Sequence, residues 1–74
     1  MIVYQVRQFS TKVDREFPNK AEALAFAASL SGEVELVTWA VSRNLPGAMP
    51  PLRYQSCALE VRQDGAWRGV NICG

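Results

Sequence analysis

Asp64-Gly65 stands between two segments, QSCALEVRQ and AWRGVNIC, in which apolar and polar residues alternate. A two-residue type I′ turn needs positive φ at both central residues. Glycine adopts that conformation at no steric cost, so Asp-Gly between alternating segments predicts a β-hairpin. With Gln63 and Ala66 flanking the turn, Arg62 faces Trp67, Val61 faces Arg68, Leu59 faces Val70 and Cys57 faces Ile72. One face then carries Cys57, Leu59, Val61, Val70 and Ile72, interrupted by a charge near the turn. The other carries Glu60, Arg62, Trp67, Gly69 and Asn71. Period-two alternation predicts the first face buried and the second facing water, and a one-residue slip would mix the two.

The rest of the chain supplies partners for this hairpin. Ile2 to Phe9 reads as a first strand, with Ile2, Tyr4 and Val6 on one face and Val3, Gln5, Arg7 and Phe9 on the other. Ser10, Thr11 and Lys12 read as a turn. Val13 to Phe17 reads as a short second strand or an extended arm, ended by Pro18. Asn19 with Glu22 three residues on is a capping-box-like helix start. The following Ala- and Leu-rich segment favours helix. Ala23, Phe26, Ala27 and Leu30 form its apolar stripe, widened by Leu24 and Ala28, and Gly32 is the expected stop. Glu33 to Ser42 is a third strand with apolar groups on both faces: Val34, Leu36 and Ala40 on one, Val37, Trp39 and Val41 on the other. Such a strand is usually central and covered twice. Arg43 to Arg53 reads as a loop, with Pro46-Gly47 turn chemistry and an extended Pro50-Pro51.

The expected fold is α+β: a single domain over residues 1–74, with one antiparallel sheet of four to five strands and one helix packed on one face, in the order ββαβββ. A chain of 74 residues is near the lower limit for a self-sufficient core. One helix cannot cover both faces of such a sheet. Either the sheet curls on itself, or one face near Trp39 stays apolar and takes a partner, which a homodimer would satisfy.

Eight basic and seven acidic residues leave a net charge of +1, with no block of like charge to steer the chain to nucleic acid or an anionic membrane. No apolar run reaches the roughly 18 residues that span a bilayer, and MIVYQVRQF reads as a strand rather than a signal peptide. A cytoplasmic protein with no membrane partner is expected. Cys57 and Cys73 fall on opposite sheet faces in this register, which disfavours a disulfide between them.

Histidine, the commonest general base and metal ligand, is absent. Two cysteines without histidine do not make a zinc site. There is no glycine-rich phosphate loop and no nucleophile elbow. The carboxylate pairs Glu33/Glu35 and Asp14/Glu16 read as solvated strand ends. The expectation is a non-enzyme with no cofactor and no metal.

What remains is partner binding. Arg62 and Trp67 are predicted neighbours, either a cation–π pair worth about 0.5–1 kcal/mol or, with Arg68, a recognition patch. In the loop, Leu45 and Met49 are apolar pegs between Arg43 and Arg53. Trp39 is either core or interface. A competing reading gathers Arg7, Arg43, Arg53, Arg62 and Arg68 into a nucleic-acid-binding surface, which requires them to converge.

The segments AEALAFAASL (Ala21–Leu30) and VRQDGAWRGVNIC (Val61–Cys73), placed in this strand–helix–strands layout, resemble small phage- or mobile-element-encoded inhibitors of the anti-CRISPR type. That resemblance implies a non-enzymatic protein that inhibits or regulates a host protein or ribonucleoprotein complex by occluding a surface. The near-neutral charge departs from the acidic, DNA-mimicking members and points to a protein surface instead.

Overall fold

A computed structural model describes residues 1–70. The chain forms β1 (Ile2–Gln8), a single 3-10 turn, β2 (Val13–Phe17), α1 (Lys20–Ala28), β3 (Val34–Arg43), β4 (Leu52–Gln63) and β5 (Ala66–Val70). The strands make one antiparallel sheet in the order β2-β1-β3-β4-β5, so the expected ββαβββ architecture is present with five strands. Val13 to Phe17 is a strand and not an arm: Phe17 pairs with Tyr4 and Val13 with Gln8.

The helix begins as its cap dictates, with the Asn19 side chain accepting from the Glu22 N–H at 2.8 Å. Ala23 and Ala27 are fully buried. Their methyl groups let α1 lie close over Val6, Val34 and Leu36, and Tyr4, Phe17, Leu24, Phe26 and Leu30 close the margins. The Phe17 and Phe26 rings sit 5.3 Å apart, with the Arg15 guanidinium over both. The helix is shorter than its apolar stripe. It ends at Ala28, which is exposed and does not widen the buried face, and Ser29 is the C-cap. Gly32, at φ +85, serves the link to β3 instead. Gln8, 4% exposed, fixes that link by donating to the Ser31 and Glu33 carbonyls while accepting from Thr11.

The Asp64-Gly65 turn has φ of 52 and 78, as a type I′ turn requires. The hairpin register is the expected one, with Arg62 opposite Trp67, Val61 opposite Arg68 and Leu59 opposite Val70. The face assignment is reversed. Val34 pairs with Arg62 and Leu36 with Glu60, and Val34 and Leu36 are the β3 residues beneath the helix. Glu60, Arg62, Trp67 and Gly69 therefore share the helix side of the sheet. Leu59, Val61 and Val70 lie on the opposite side, which no helix covers. Hydrophobic alternation separates two faces but does not say which one receives the helix. Pairing with β3 decides that. A bulge between Thr38 and Trp39 places Ala58 and Ser56 opposite them, so Cys57 is the extra residue and drops out of simple alternation. The expectations for Asn71, Ile72 and Cys73, including the Cys57–Cys73 pairing, lie outside the described residues.

β3 and β4 outrun β1. The β1 ladder along β3 ends at Ile2 opposite Ala40, and the described part of β5 pairs along β4 as far as Val70 opposite Leu59. Among the described residues β3 and β4 continue past Ile2 as a two-stranded arm, and the molecule measures 44 × 24 × 22 Å. Strand pairing runs as far as Arg43 opposite Leu52, so the connecting loop spans 44–51 and is shorter than the expected Arg43–Arg53. Asn44 orders it. Its N–H donates to the Pro51 carbonyl at 3.0 Å and its Nδ2 to the Pro50 carbonyl at 2.7 Å.

Candidate functional site

The fold distributes the candidate residues among three places. Arg43, Leu45, Met49 and Arg53 lie at the end of the arm. Trp39 lies at the base of the arm on the helix-free face. Arg62, Trp67 and Arg68 lie at the other end of the sheet, around the β4–β5 turn.

The arm end is apolar and cationic. Leu45 is 82% exposed, Met49 89%, Tyr54 52% and Leu52 38%. The start of β1 joins them, because Ile2 pairs with Ala40 and the Met1 amino group donates to the Val41 carbonyl at 3.0 Å. With Met1 and Ile2, six of the nine exposed large hydrophobic residues among the described residues cluster at this one end. Such concentration marks interaction surfaces, whereas scattered exposed apolar residues do not. A shallow groove lined by Arg43, Leu45, Pro46 and Leu52, among others, runs along the tip.

The charges are segregated in the same way. All seven Asp and Glu side chains belong to positions 14–35 or 60–64, so none lies between Leu36 and Leu59. The arm carries only Arg43 and Arg53. Arg53 stands opposite Ser42 and Arg43 opposite Leu52, so the two arginines point to opposite sides of the arm and flank its tip. The ion pairs among the described residues, Arg7–Glu35 and Lys20–Glu60, involve neither.

The hairpin end differs from expectation. Arg62 does not stack on Trp67. Its guanidinium turns under the helix and donates to the carbonyls of Ala27 (2.8 Å), Leu30 and Gly32 (2.8 Å). These carbonyls lie at and just beyond the helix C-terminal end, where a cation is electrostatically favoured; that of Ala27 also accepts from the Leu30 N–H at 3.0 Å. The cation–π contacts of the described residues belong to Arg7 over Phe9 and to Arg15. Arg68, opposite Val61, points to the other side of the sheet from Arg62, so Arg62, Trp67 and Arg68 form no common patch. Trp67 is 36% exposed on the helix side.

On the helix-free face Trp39 is partly buried. Its Nε1–H donates to Gln5 Oε1 at 2.8 Å, and its ring meets Tyr54 edge-on at 6.4 Å. Tyr54 is a surface residue that sequence reasoning missed. The signal was available in the third-strand pattern, which places whatever pairs with Val41 beside Trp39.

The five arginines of the nucleic-acid reading do not converge. Arg7 pairs with Glu35 at 3.4 Å, Arg62 caps the helix, and Arg68 stands at the far margin. Arg43 and Arg53 share the arm end, whereas Arg62 and Arg68, at the opposite end, lie on opposite faces of the sheet. Among the described residues no group of three or more His, Cys, Asp or Glu could hold a metal ion, and no helix is long and apolar enough to cross a membrane. No protein-family model matches the chain, and no similar curated protein or solved structure was found.

Proposed function

We propose that the chain is a small non-enzymatic binding protein that inhibits or regulates a host protein complex by seating its arm end on it and occluding that surface. One observation carries the reading: the cluster of exposed apolar residues at the end of an ordered, projecting hairpin. Asn44 holds the tip in shape before any partner arrives, which lowers the ordering cost of association. Leu45 and Met49 are the anchors, and Arg43 and Arg53 select a partner with carboxylates around the contact. The setting is that of an inhibitor of the anti-CRISPR type: cytoplasmic, cofactor-free, and directed at a host protein or ribonucleoprotein complex. With only two arginines at the arm, protein contact is favoured over nucleic acid.

The test is quantitative affinity capture of host complexes with the wild type, the Leu45→Ser/Met49→Ser double variant and Trp67→Ala. Burial of a Leu or Met side chain contributes about 1.5–3 kcal/mol, so the double variant should bind at least about a hundredfold more weakly. Trp67→Ala should recover what the wild type recovers. The opposite pattern, with binding lost in Trp67→Ala and kept in the double variant, would move the site to the β4–β5 turn. Steep weakening as salt rises would favour the nucleic-acid alternative.

A further inference from the structure

We propose that the arm enters a two-walled cleft of a host protein, with a carboxylate on each wall and an apolar floor. This rests on the arm-end reading above and adds the shape and charge of the surface that receives the arm. Strand alternation sets the two sides. Leu36 lies beneath the helix, so Val41 and Arg43 of β3 share the helix-free side. Their ladder partners bring Tyr54, opposite Val41, and Leu52, opposite Arg43, onto that side. Ser42 and Arg53, opposite each other, take the other side with Gln55. Each side thus holds one exposed arginine: Arg43 beside Leu52 and Tyr54, Arg53 beside Ser42 and Gln55.

A flat partner surface does not engage this arrangement. Laid against either side, it leaves the arginine of the other side in water. Pressed under the tip, it meets Leu45 and Met49 but not Tyr54, which stands two residues behind Leu52, about 7 Å farther from the tip. A cleft meets them all. Leu45 and Met49 reach its floor, one wall is apolar against Leu52 and Tyr54, and the other is polar against Ser42 and Gln55. Packed layers stand about 10 Å apart, so the backbones of the two walls lie about 20 Å apart with the arm between them.

The countercharge must come from the partner. An arginine drawn out of water needs an anion beside it. No Asp or Glu lies between Leu36 and Leu59, and the ion pairs of the described residues leave Arg43 and Arg53 unengaged. Two cations on opposite sides match two discrete carboxylates. A nucleic-acid backbone, with one charge per about 1.7 Å, calls for a row of cations along one side.

The probe is the host complex captured by the wild type, repurified and titrated with wild type, Arg43→Gln, Arg53→Gln and the variant carrying both. Each single change should weaken binding at least about tenfold, and the two together at least about a hundredfold, because separate walls act independently. Thermal midpoints should match the wild type, since both side chains are exposed. Amidating the complex's carboxylates with carbodiimide and glycinamide should abolish binding, and nuclease digestion should leave it intact. If either arginine proves dispensable, the arm meets one surface and not a cleft. Binding that survives amidation, or that nuclease removes, sets groups other than carboxylates opposite the arginines and equally overturns the proposal. The Leu45→Ser/Met49→Ser variant keeps the two readings apart. If it still binds, or if the wild type captures nothing, the arm end is not the site and the cleft falls with it. If it loses binding while one arginine is dispensable, only the cleft falls.

Discussion

Arg62 Nη1 donates to the Ala27 carbonyl over 2.8 Å, tying the penultimate residue of β4 to the last turn of α1. Two more carbonyls, of Leu30 and Gly32, share the same guanidinium. A planar fork with several donors suits this task, and a single ammonium does not. Charged hydrogen bonds contribute about 1.5–3 kcal/mol each and are not additive when they share a group. Arg62→Ala should therefore cost about 3 kcal/mol, lowering Tm by more than about 12 °C in a domain of this size. Arg62→Lys should recover less than half of the loss. Thermal unfolding followed by circular dichroism measures both. A loss under about 1 kcal/mol for Arg62→Ala would mean the helix end does not depend on it.

Gln8 offers a second test of how the helix exit is held. Its amide donates to the Ser31 and Glu33 carbonyls, and its oxygen accepts from Thr11. Gln8→Leu leaves those carbonyls without their donor and should cost about 2–3 kcal/mol. Gln8→Glu should be worse, because it turns a carboxylate toward the two carbonyls. Urea unfolding should show a lower midpoint with an unchanged slope.

At the β4–β5 turn, Gly65 sits at φ +78 with open space around its Cβ position. The cost of a side chain there is backbone strain alone. Gly65→Ala should destabilise by about 1–2 kcal/mol, whereas Asp64→Asn should change stability by less than about 0.5 kcal/mol. Equal effects at the two positions would contradict the type I′ geometry.

The arm tip should behave in the opposite way. Leu45 and Met49 are 82% and 89% exposed, so replacing both with serine should leave stability within about 0.5 kcal/mol. The same double variant is expected to abolish partner capture. A matching Tm beside lost binding would separate recognition from folding. A Tm drop of more than about 8 °C would show that the tip packs against the body.

What the sequence revealed was mostly local. The Asn19 cap, the Asp64-Gly65 turn and the β4–β5 register depend on residues within a few positions of each other, and all three are present in the fold. What it concealed depends on distant pairing. The alternation in β4 was correct, yet Glu60 and Arg62 face the helix because Leu36 and Val34 stand beside them on β3. Arg62 looked like a surface cation because its acceptors are carbonyls, which no side-chain pattern encodes. The bulge at Thr38/Trp39 adds a residue that period-two reading cannot place. Arg43 and Arg53 were correctly set near an apolar tip, but both are strand residues, because nothing in the loop composition says where the ladder ends. The clustering of Met1 and Ile2 with that tip appears only when β1 is laid against Ala40.

A net charge of +1 describes an average that no part of this surface displays. An ion-exchange resin samples patches rather than averages. Near the pH at which the protein's charges balance, the carboxylate-free arm should hold it on a sulfonate column, with Arg43 and Arg53 turned to the beads and the rest of the chain, six basic against seven acidic residues, left in the mobile phase. Retention should fall stepwise when each arginine is replaced, although the isoelectric point alone would predict elution in the void.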